Sequence, residues 1–215
     1  MASSSVKADQ HKRRTQAERS AATRTALMDA TIACLVEYGY AKTTTRRIAE
    51  RAGVTLGAVH HHFGSKLGLL AETRRHITTR WAEELLARAP TDSPSPRVRY
   101  EQLLDLQWEL CKGPYFQSML ELLAAARTDP ELRASGELAS LHFQRRNELA
   151  IKALYPELAG LPGVAELMLS GQAMMRGLAL VTVASDANPD ELWPATREHL
   201  MALGTALYGD PDSRE

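Results

Sequence analysis

The stretch TTTRRIAERAGVTLGAVHHHFGSK, residues 43–66, holds two short helical patterns joined by a glycine. Ile48 and Ala52 are four residues apart, a spacing that places both on one face of a short helix. Gly53 follows at once, and glycine readily adopts the left-handed conformation that ends a helix. The order of helix, glycine turn and helix predicts a helix-turn-helix motif over residues 44–63.

Threonines stand at the start of both helices of this motif. The hydroxyl oxygens of Thr44 and Thr55 can accept hydrogen bonds from the first helical turn, so both residues are predicted N-caps. Val59 of the second helix is expected to pack on Ile48 of the first. The pattern alone also fits a plain helical hairpin without a role in DNA binding. The rest of the sequence is needed to distinguish this hairpin from a DNA-binding motif.

The charge of the chain is divided between its two parts. The 215 residues have a formal net charge of zero. Residues 1–80 contain 14 Lys and Arg against 6 Asp and Glu, whereas residues 81–215 contain 12 against 20. A basic part joined to an acidic part indicates a nucleic-acid-binding end. The acidic part is repelled by DNA, which favours end-on docking of the basic part.

The basic part resembles the DNA-binding domain of the TetR family of one-component transcriptional regulators. The family usually has tyrosine, which commonly touches a phosphate, where this chain has His60. A neutral imidazole can still donate one hydrogen bond, and a protonated one adds charge. The resemblance covers about residues 18–80 and rests on LMDATIACLVEYGY at 27–40, Thr43 and Thr44, Ile48 and Ala49, Ala52 to Val54, Gly57, His62 and Phe63, and Lys66.

The motif predicts which side chains meet DNA. The second helix is expected to enter the major groove, with His61 at a base edge and Thr55 as a second base contact. Leu56 or Ala58 is expected to meet a thymine methyl group, and Gly57 to allow close approach of the backbone. The expected DNA contacts are Thr43, Thr44, Thr45, Arg46, Thr55, Leu56, Gly57, Ala58, His60, His61 and Lys66, with phosphates bound by Thr44, Arg46, His60 and Lys66.

The whole chain is predicted to be all-α, because no segment shows sustained two-residue alternation of apolar and polar residues. The expected architecture is an N-terminal three-helix DNA-binding domain followed by a C-terminal helical domain. About nine helices are expected, near residues 18–38, 45–52, 56–62, 66–88, 97–112, 114–127, 130–154, 163–185 and 189–208.

Three regions are predicted along the chain. Residues 1–17 form a disordered basic tail, which alternatively acts as an arm that contacts DNA through Lys12, Arg13 and Arg14. Residues 18–80 form the helix-turn-helix domain. The resemblance implies that the third region, residues 81–215, senses a ligand and forms the dimer.

The C-terminal region contains no recognised catalytic motif. Gly-rich phosphate loops, HExxH and GxSxG are missing from the sequence of residues 90–215, so no enzymatic activity is expected. Met and aromatic side chains suit an adaptable, partly apolar pocket, and Gln172 and Arg176 are spaced to hold one polar head group. Ordinary core packing is the alternative for each expected lining residue: Trp108, Phe116, Met119, Leu123, His142, Met168, Gln172, Met175 and Arg176.

The last two helices carry more apolar surface than one neighbour would cover. Two such helices from each subunit can form a four-helix bundle with twofold symmetry, and a core within one subunit is the alternative. The expected interface residues are Leu178, Val181, Leu192, Thr196, Leu200, Leu203 and Leu207.

Metal, cofactor and membrane binding are not expected. Neighbouring residues on a helix point in different directions, so His60, His61 and His62 do not form a metal site. Cys34 and Cys111 suit core positions rather than a disulfide framework. No apolar run approaches the ~18–20 residues that span a bilayer, and residues 1–17 lack the apolar segment of a secretory signal. The expected location is the cytoplasm, at the nucleoid.

The resemblance implies a sequence-specific regulator, most often a repressor released from a near-palindromic operator by a small ligand. An activator of the same fold is an alternative. A helical adaptor without DNA binding is a second one, but it would not need the phosphate-ready Thr44, Arg46 and Lys66.

Overall fold

The structure, a computed structural model, is helical wherever it has regular secondary structure. No strand occurs among the residues that it describes, so the all-α prediction is confirmed. These residues are 2–90, 92–135, 145–146, 149–150, 153–154, 162–184 and 188–210, with the backbone alone for 2–14, 182–184, 189 and 208.

Most helices lie within a few residues of their predicted bounds. Of the predicted helix 130–154, the described residues 145–146, 149–150 and 153–154 are helical, in addition to 130–135. The elements are α1 (Ala2–Lys42), α2 (Thr45–Ala52), α3 (Leu56–Phe63), α4 (Lys66–Arg88), α5 (Pro96–Lys112), α6 (Pro114–Ala126), α7 (residues 130–135), α8 (Val164–Ala184) and α9 (Trp193–Tyr208), with a 3-10 turn at Pro189–Glu191.

Helix α1 differs most from its predicted bounds. It begins at Ala2, so residues 2–17 have a helical backbone where the sequence predicts a disordered tail. It also continues past residue 38 through a kink at Gly39, which has φ 72° and ψ 171°. Glycine adopts this positive φ without a steric penalty, which explains why the kink occurs there. The side chains of the predicted basic arm lie outside the described residues.

The chain divides into two compact units. Unit 1 comprises residues 1–77 and 118–139, and unit 2 comprises residues 78–117 and 140–215. The first break lies close to the predicted boundary at residue 80. The return of residues 118–139 to unit 1 is a long-range feature that the sequence does not predict, and the domain bounds given above stay a prediction.

A fully buried cluster holds the first four helices of unit 1 together. Leu27 and Cys34 come from α1, Ile48 from α2, Val59 from α3 and Leu69 from α4, and none of the five is exposed. The expected packing of Val59 with Ile48 and the core position of Cys34 are confirmed. Burying an aliphatic side chain of this size contributes roughly 1.5–3 kcal/mol, so this cluster fixes the positions of α2 and α3.

Residues 118–135 join unit 1 through polar contacts at the kink of α1. The backbone N–H of Tyr40 donates to Oε2 of Glu121 at 2.7 Å, and the Tyr40 hydroxyl donates to Oδ2 of Asp129 at 3.3 Å. Burial and the Asp129 carboxylate raise the pKa of Tyr40. The end of α1 is therefore held by α6 and by the turn that precedes α7.

Two stacked tryptophans tie α5 to the C-terminal segment of unit 2. The rings of Trp108 and Trp193 lie 5.1 Å apart with an interplanar angle of 10°. The Trp108 indole N–H donates to Asp190 at 2.7 Å, and the Trp193 indole N–H donates to Asp105 at 2.7 Å. A buried donor without a partner costs about 1–3 kcal/mol, so these reciprocal bonds stabilise the pair.

Helix α8 corrects the expectation that no apolar run is long enough to span a bilayer. Among the described helices, its segment Val164–Val181 alone meets that criterion by length and composition. A core helix meets the same criterion, and part of α8 packs inside unit 2. The apolar core there is formed by Leu85, Leu103, Leu106, Leu110, Val164 and Met168.

Candidate nucleic-acid interface

The two helices of the motif are capped as their sequence predicts. Thr44 accepts a hydrogen bond from the N–H of Arg47 at 3.3 Å, and Thr55 accepts one from the N–H of Ala58 at 3.2 Å. Gly53 ends α2 in the left-handed conformation, with φ 66° and ψ 30°. The caps and the glycine turn therefore fix the direction of α3 relative to α2.

Helix α3 has one buried and one exposed side. Val59 is fully buried and Ala58 is half-buried, whereas Leu56 has 44% of its surface exposed. A Cβ atom added to Gly57 would have only the Thr55 hydroxyl within 4 Å, at 3.7 Å. An exposed patch without side-chain bulk at Gly57 is thus available for close contact with a groove. We name it the recognition face, formed by Thr55, Leu56, Gly57, His60 and His61.

The imidazole of His60 is partly engaged by the turn after α3. Its Nδ1 lies 3.3 Å from the carbonyl oxygen of Gly64. A carbonyl oxygen only accepts, so Nδ1 carries the proton in the neutral ring and Nε2 is left as an acceptor. Donation from Nε2 to a phosphate oxygen therefore requires a proton on that nitrogen as well.

His62 is turned towards the protein, as expected from the sequence. It is half-buried, and its ring meets Phe63 edge to face with 6.3 Å between centroids. Arg24 of α1 donates to the His62 carbonyl oxygen at 2.6 Å and lies 4.6 Å from the centre of the Phe63 ring. Burial, with the nearby charges of His61 and Arg24, lowers the pKa of His62. These contacts anchor the end of α3.

The expected phosphate contacts differ in how exposed they are. Thr44 is exposed, Thr45 is half-buried, and Arg46 is exposed and paired with Glu50 at 2.9 Å. The half-buried Lys66 amine lies 4.6 Å from the centre of the Tyr40 ring. Burial lowers the pKa of Lys66.

Lys66 nevertheless begins α4, where the first-turn amide groups favour an anion. The Asp129 carboxylate partly offsets the effect of burial on its pKa. To reach a phosphate, the Lys66 amine has to leave the Tyr40 ring.

The structure corrects the prediction that Thr43 contacts DNA. Its side chain is fully buried, and its hydroxyl donates to the Gly39 carbonyl oxygen at 2.7 Å. The kink at Gly39 brings that carbonyl within reach one helical turn back. Thr43 therefore stabilises the end of α1 and does not present its hydroxyl on the surface.

Several basic residues that the sequence analysis did not select lie beside the motif. Arg47 lies 4.9 Å from the centre of the Tyr38 ring and donates to the Lys42 carbonyl oxygen at 2.7 Å. Arg51 lies 5.7 Å from the same ring and pairs with Glu37. The run of arginines in α2 was the available signal, because it places cations on the exposed side of that helix.

The expected ligand residues are divided between the two units. Met119 and Leu123 belong to unit 1, and Leu123 has 50% of its surface exposed. His142 lies outside the described residues. The remaining six belong to unit 2, where Arg176 is half-buried and Trp108, Phe116, Met168, Gln172 and Met175 are buried.

Gln172 and Arg176 meet as their spacing suggests. Nη2 of Arg176 lies 3.5 Å from Oε1 of Gln172. Burial lowers the pKa of Arg176 and raises that of the nearby Cys111 thiol to about 12. The pair is a polar feature of α8 in unit 2.

The expected interface residues of α8 and α9 are largely exposed. Val181, Leu203 and Leu207 have 37%, 39% and 58% of their surface exposed, and Leu178 is half-buried. Leu192 is 50% exposed, and Thr196 is half-buried. Leu200 is a correction, because only 2% of it is exposed and it packs against Gly171 within unit 2.

Comparison with known proteins places the motif in a family. The family profile described as bacterial regulatory proteins of the tetR family matches residues 27–73. CymR, an HTH-type transcriptional regulator of Pseudomonas putida, is 38% identical over 122 residues, which cover 57% of this chain. The chain spans 60% of the length of CymR.

Solved structures share the fold. A protein from Mesorhizobium loti assigned to the TetR family of transcriptional regulators has a TM-score of 0.68 at 18% identity, covering 89% of this chain and 99% of its own. The multidrug binding protein EbrR, solved with proflavin, has a TM-score of 0.57 at 23% identity, with coverages of 84% and 99%. Similarity at these identities extends to the helical fold and to nothing finer.

Proposed function

Because the chain belongs to the TetR family of bacterial regulatory proteins, we propose that it is a sequence-specific DNA-binding transcriptional repressor. The recognition face carries this proposal. It is an exposed, capped helix surface in the basic part of the chain. The relatives are named as transcriptional regulators and not as enzymes, in agreement with the expected lack of catalysis.

In the proposed complex, α3 enters the major groove. His61 reads a base edge, Thr55 makes a second base contact, and the small side of the helix around Gly57 lets the backbone approach closely. Thr44 and Arg46 at the start of α2 bind phosphates and set the position of α3 on the duplex. Arg47 and Arg51 extend the positive surface behind them.

We propose that the exposed apolar residues of α8 and α9 pair two copies of the chain. A twofold dimer carries two recognition faces, so its operator is a near-palindrome with half-sites about one DNA turn, ~34–36 Å, apart or somewhat more. The exposure of Leu203 and Leu207 supports α8 and α9 as the proposed dimer interface. The proposed location is the cytoplasm, where such a dimer meets the nucleoid.

The proposed effector is a small, partly apolar molecule that lowers the affinity for DNA. EbrR is described as a multidrug binding protein and was solved with proflavin, which supports a small-molecule partner for this fold. By linkage, an effector that weakens DNA binding is itself bound more weakly by the DNA complex, and by the same factor. Effector-driven activation is the second candidate.

Binding to duplex DNA at several salt concentrations tests the proposal. We expect the affinity to fall steeply, with a slope of about −0.9 in log–log form for each neutralised phosphate. Arg46→Ala should reduce that slope by about one per protomer. Arg127→Ala, an exposed arginine of unit 1 outside the motif, is the matched control and should leave the slope unchanged. Failure to bind any duplex at low salt would contradict the proposal.

A further inference from the structure

Arg74 is a buried cation on the part of α4 that belongs to unit 1. Only 4% of its surface is exposed, and its helical neighbours Leu70 and Ile77 are 1% and 2% exposed. An unpaired charge in such surroundings is costly, so buried arginines ordinarily lie against carboxylates. Burial lowers the pKa of Arg74, and none of the described residues opposes that effect with a charge.

The guanidinium of Arg74 has little compensation among the described residues. Nη1 donates to the carbonyl oxygen of Leu132 in α7 at 3.2 Å. Ser135 Oγ donates to the same oxygen at 2.7 Å, so the acceptor is shared. The Nε–H of Arg74 is buried and finds no hydrogen-bond partner in the described part of the chain. No ion pair of Arg74 occurs in the part of the chain that the structure describes.

The unused side of this guanidinium has a defined chemistry. In arginine, Nε–H and one terminal N–H point in the same direction and form a planar fork that matches the two oxygens of a carboxylate. Since Nη1 of Arg74 is directed at Leu132, the side that includes Nε is not used by that contact. A carboxylate placed there would supply both the missing acceptor and the missing negative charge.

We propose that Arg74 binds the acid group of a small organic carboxylate, whose apolar part packs against residues of α4 such as Leu70 and Ile77. This inference rests on the proposed function, because it gives the effector a chemical class. Arg74 lies eight residues after Lys66, the first residue of α4, and α4 follows α3 with its recognition face. A carboxylate bound between Arg74 and α7 adds a contact to the segment that supports the motif.

Thermal unfolding of the full chain without DNA tests the site. The probes are benzoate and octanoate, with benzamide and octanamide as neutral molecules of similar shape. At about 100 times its Kd, a carboxylate should raise Tm by about 5–10 °C. The amides should leave Tm unchanged. If neither carboxylate shifts Tm at equal ionic strength, the inference is overturned.

Arg74→Met separates an acid site from a structural arginine. Methionine keeps most of the volume and removes the charge, so this variant should lose the carboxylate shift and melt no lower than the parent without ligand. Arg75→Met, at the adjacent arginine that pairs with Glu72, is the matched control and should keep the shift. A shift retained in Arg74→Met, a shift lost in Arg75→Met as well, or marked destabilisation of ligand-free Arg74→Met each overturns the site.

Duplex binding measured without any acid keeps the two proposals apart. A protein that binds DNA but shows no Arg74-dependent carboxylate shift overturns the acid site alone. A protein with that shift but without affinity for any duplex supports the acid site and contradicts the regulatory function.

Discussion

Replacing Gly68 with alanine is expected to destabilise the protein by about 1–3 kcal/mol or more, because the new methyl group has no space. A Cβ atom at this position would clash with the carbonyl oxygen of Phe63. The clash is with backbone, so no side-chain rotation relieves it. That carbonyl also accepts a hydrogen bond from the N–H of Ser65 at 2.8 Å, which holds it in place.

Urea unfolding of Gly68→Ala measures the effect. The variant should unfold at a lower urea concentration than the parent, and its α3–α4 junction should distort enough to weaken DNA binding. Gly57→Ala is the matched control, because a Cβ atom there makes only an ordinary contact of 3.7 Å with the Thr55 hydroxyl. Equal midpoints for Gly68→Ala and the parent would show that the tight junction between Phe63 and Gly68 is not real.

Gly57→Ala is expected to leave folding intact and to reduce DNA affinity by about tenfold or more. Alanine favours a helix over glycine by about 0.5–1 kcal/mol, so the variant should be at least as stable as the parent. On DNA, the added methyl group enters the space that the backbone of α3 needs at the groove. A loss of about 1.4 kcal/mol there corresponds to tenfold in affinity.

Fluorescence anisotropy with a labelled operator duplex checks this result, and a urea titration of the same sample shows that the variant is folded. Gly57→Ala and Gly68→Ala should thus have opposite profiles, the first impaired in binding and the second in stability. Parent-like affinity of Gly57→Ala would mean that the backbone near residue 57 does not approach the duplex, and α3 would then have to dock in another orientation.

The parts of the motif that depend on local chemistry were predictable from the sequence. Thr44 and Thr55 cap helices because a hydroxyl can reach the amide three residues on, and that reach depends on nothing distant. Gly53 ends α2 for an equally local reason. The position of Val59 in the core follows from the helical period, so the exposed face of α3 could be deduced as well.

The parts that depend on tertiary contacts were not predictable. Thr43 looked like another surface hydroxyl, but the continuation of α1 through Gly39 gives that hydroxyl a carbonyl acceptor four residues back. Lys66 was expected to face a phosphate, and its amine instead lies on the Tyr40 ring, a pair separated by a turn and two helices. Leu200 fits the exposed stripe of α9, yet it is only 2% exposed and lies beside Gly171 inside unit 2.

The burial of Arg74 was not predictable from the sequence either. In the sequence it is one of two adjacent arginines in a charged helix, with nothing to separate it from Arg75. Its burial depends on the return of residues 118–139 to unit 1, which sequence periodicity does not reveal. A charge that the sequence suggests is solvated is therefore a candidate site in the structure.

Selection of bound duplexes from a random pool, with the parent protein and with His61→Ala, tests the central claim most directly. The account predicts that the parent enriches one near-palindromic sequence and that His61→Ala relaxes the preference at symmetric positions, each by about 1–3 kcal/mol. A parent protein that enriches no sequence, or a His61→Ala variant with an unchanged preference, would contradict the assignment of the recognition face as the surface that reads DNA.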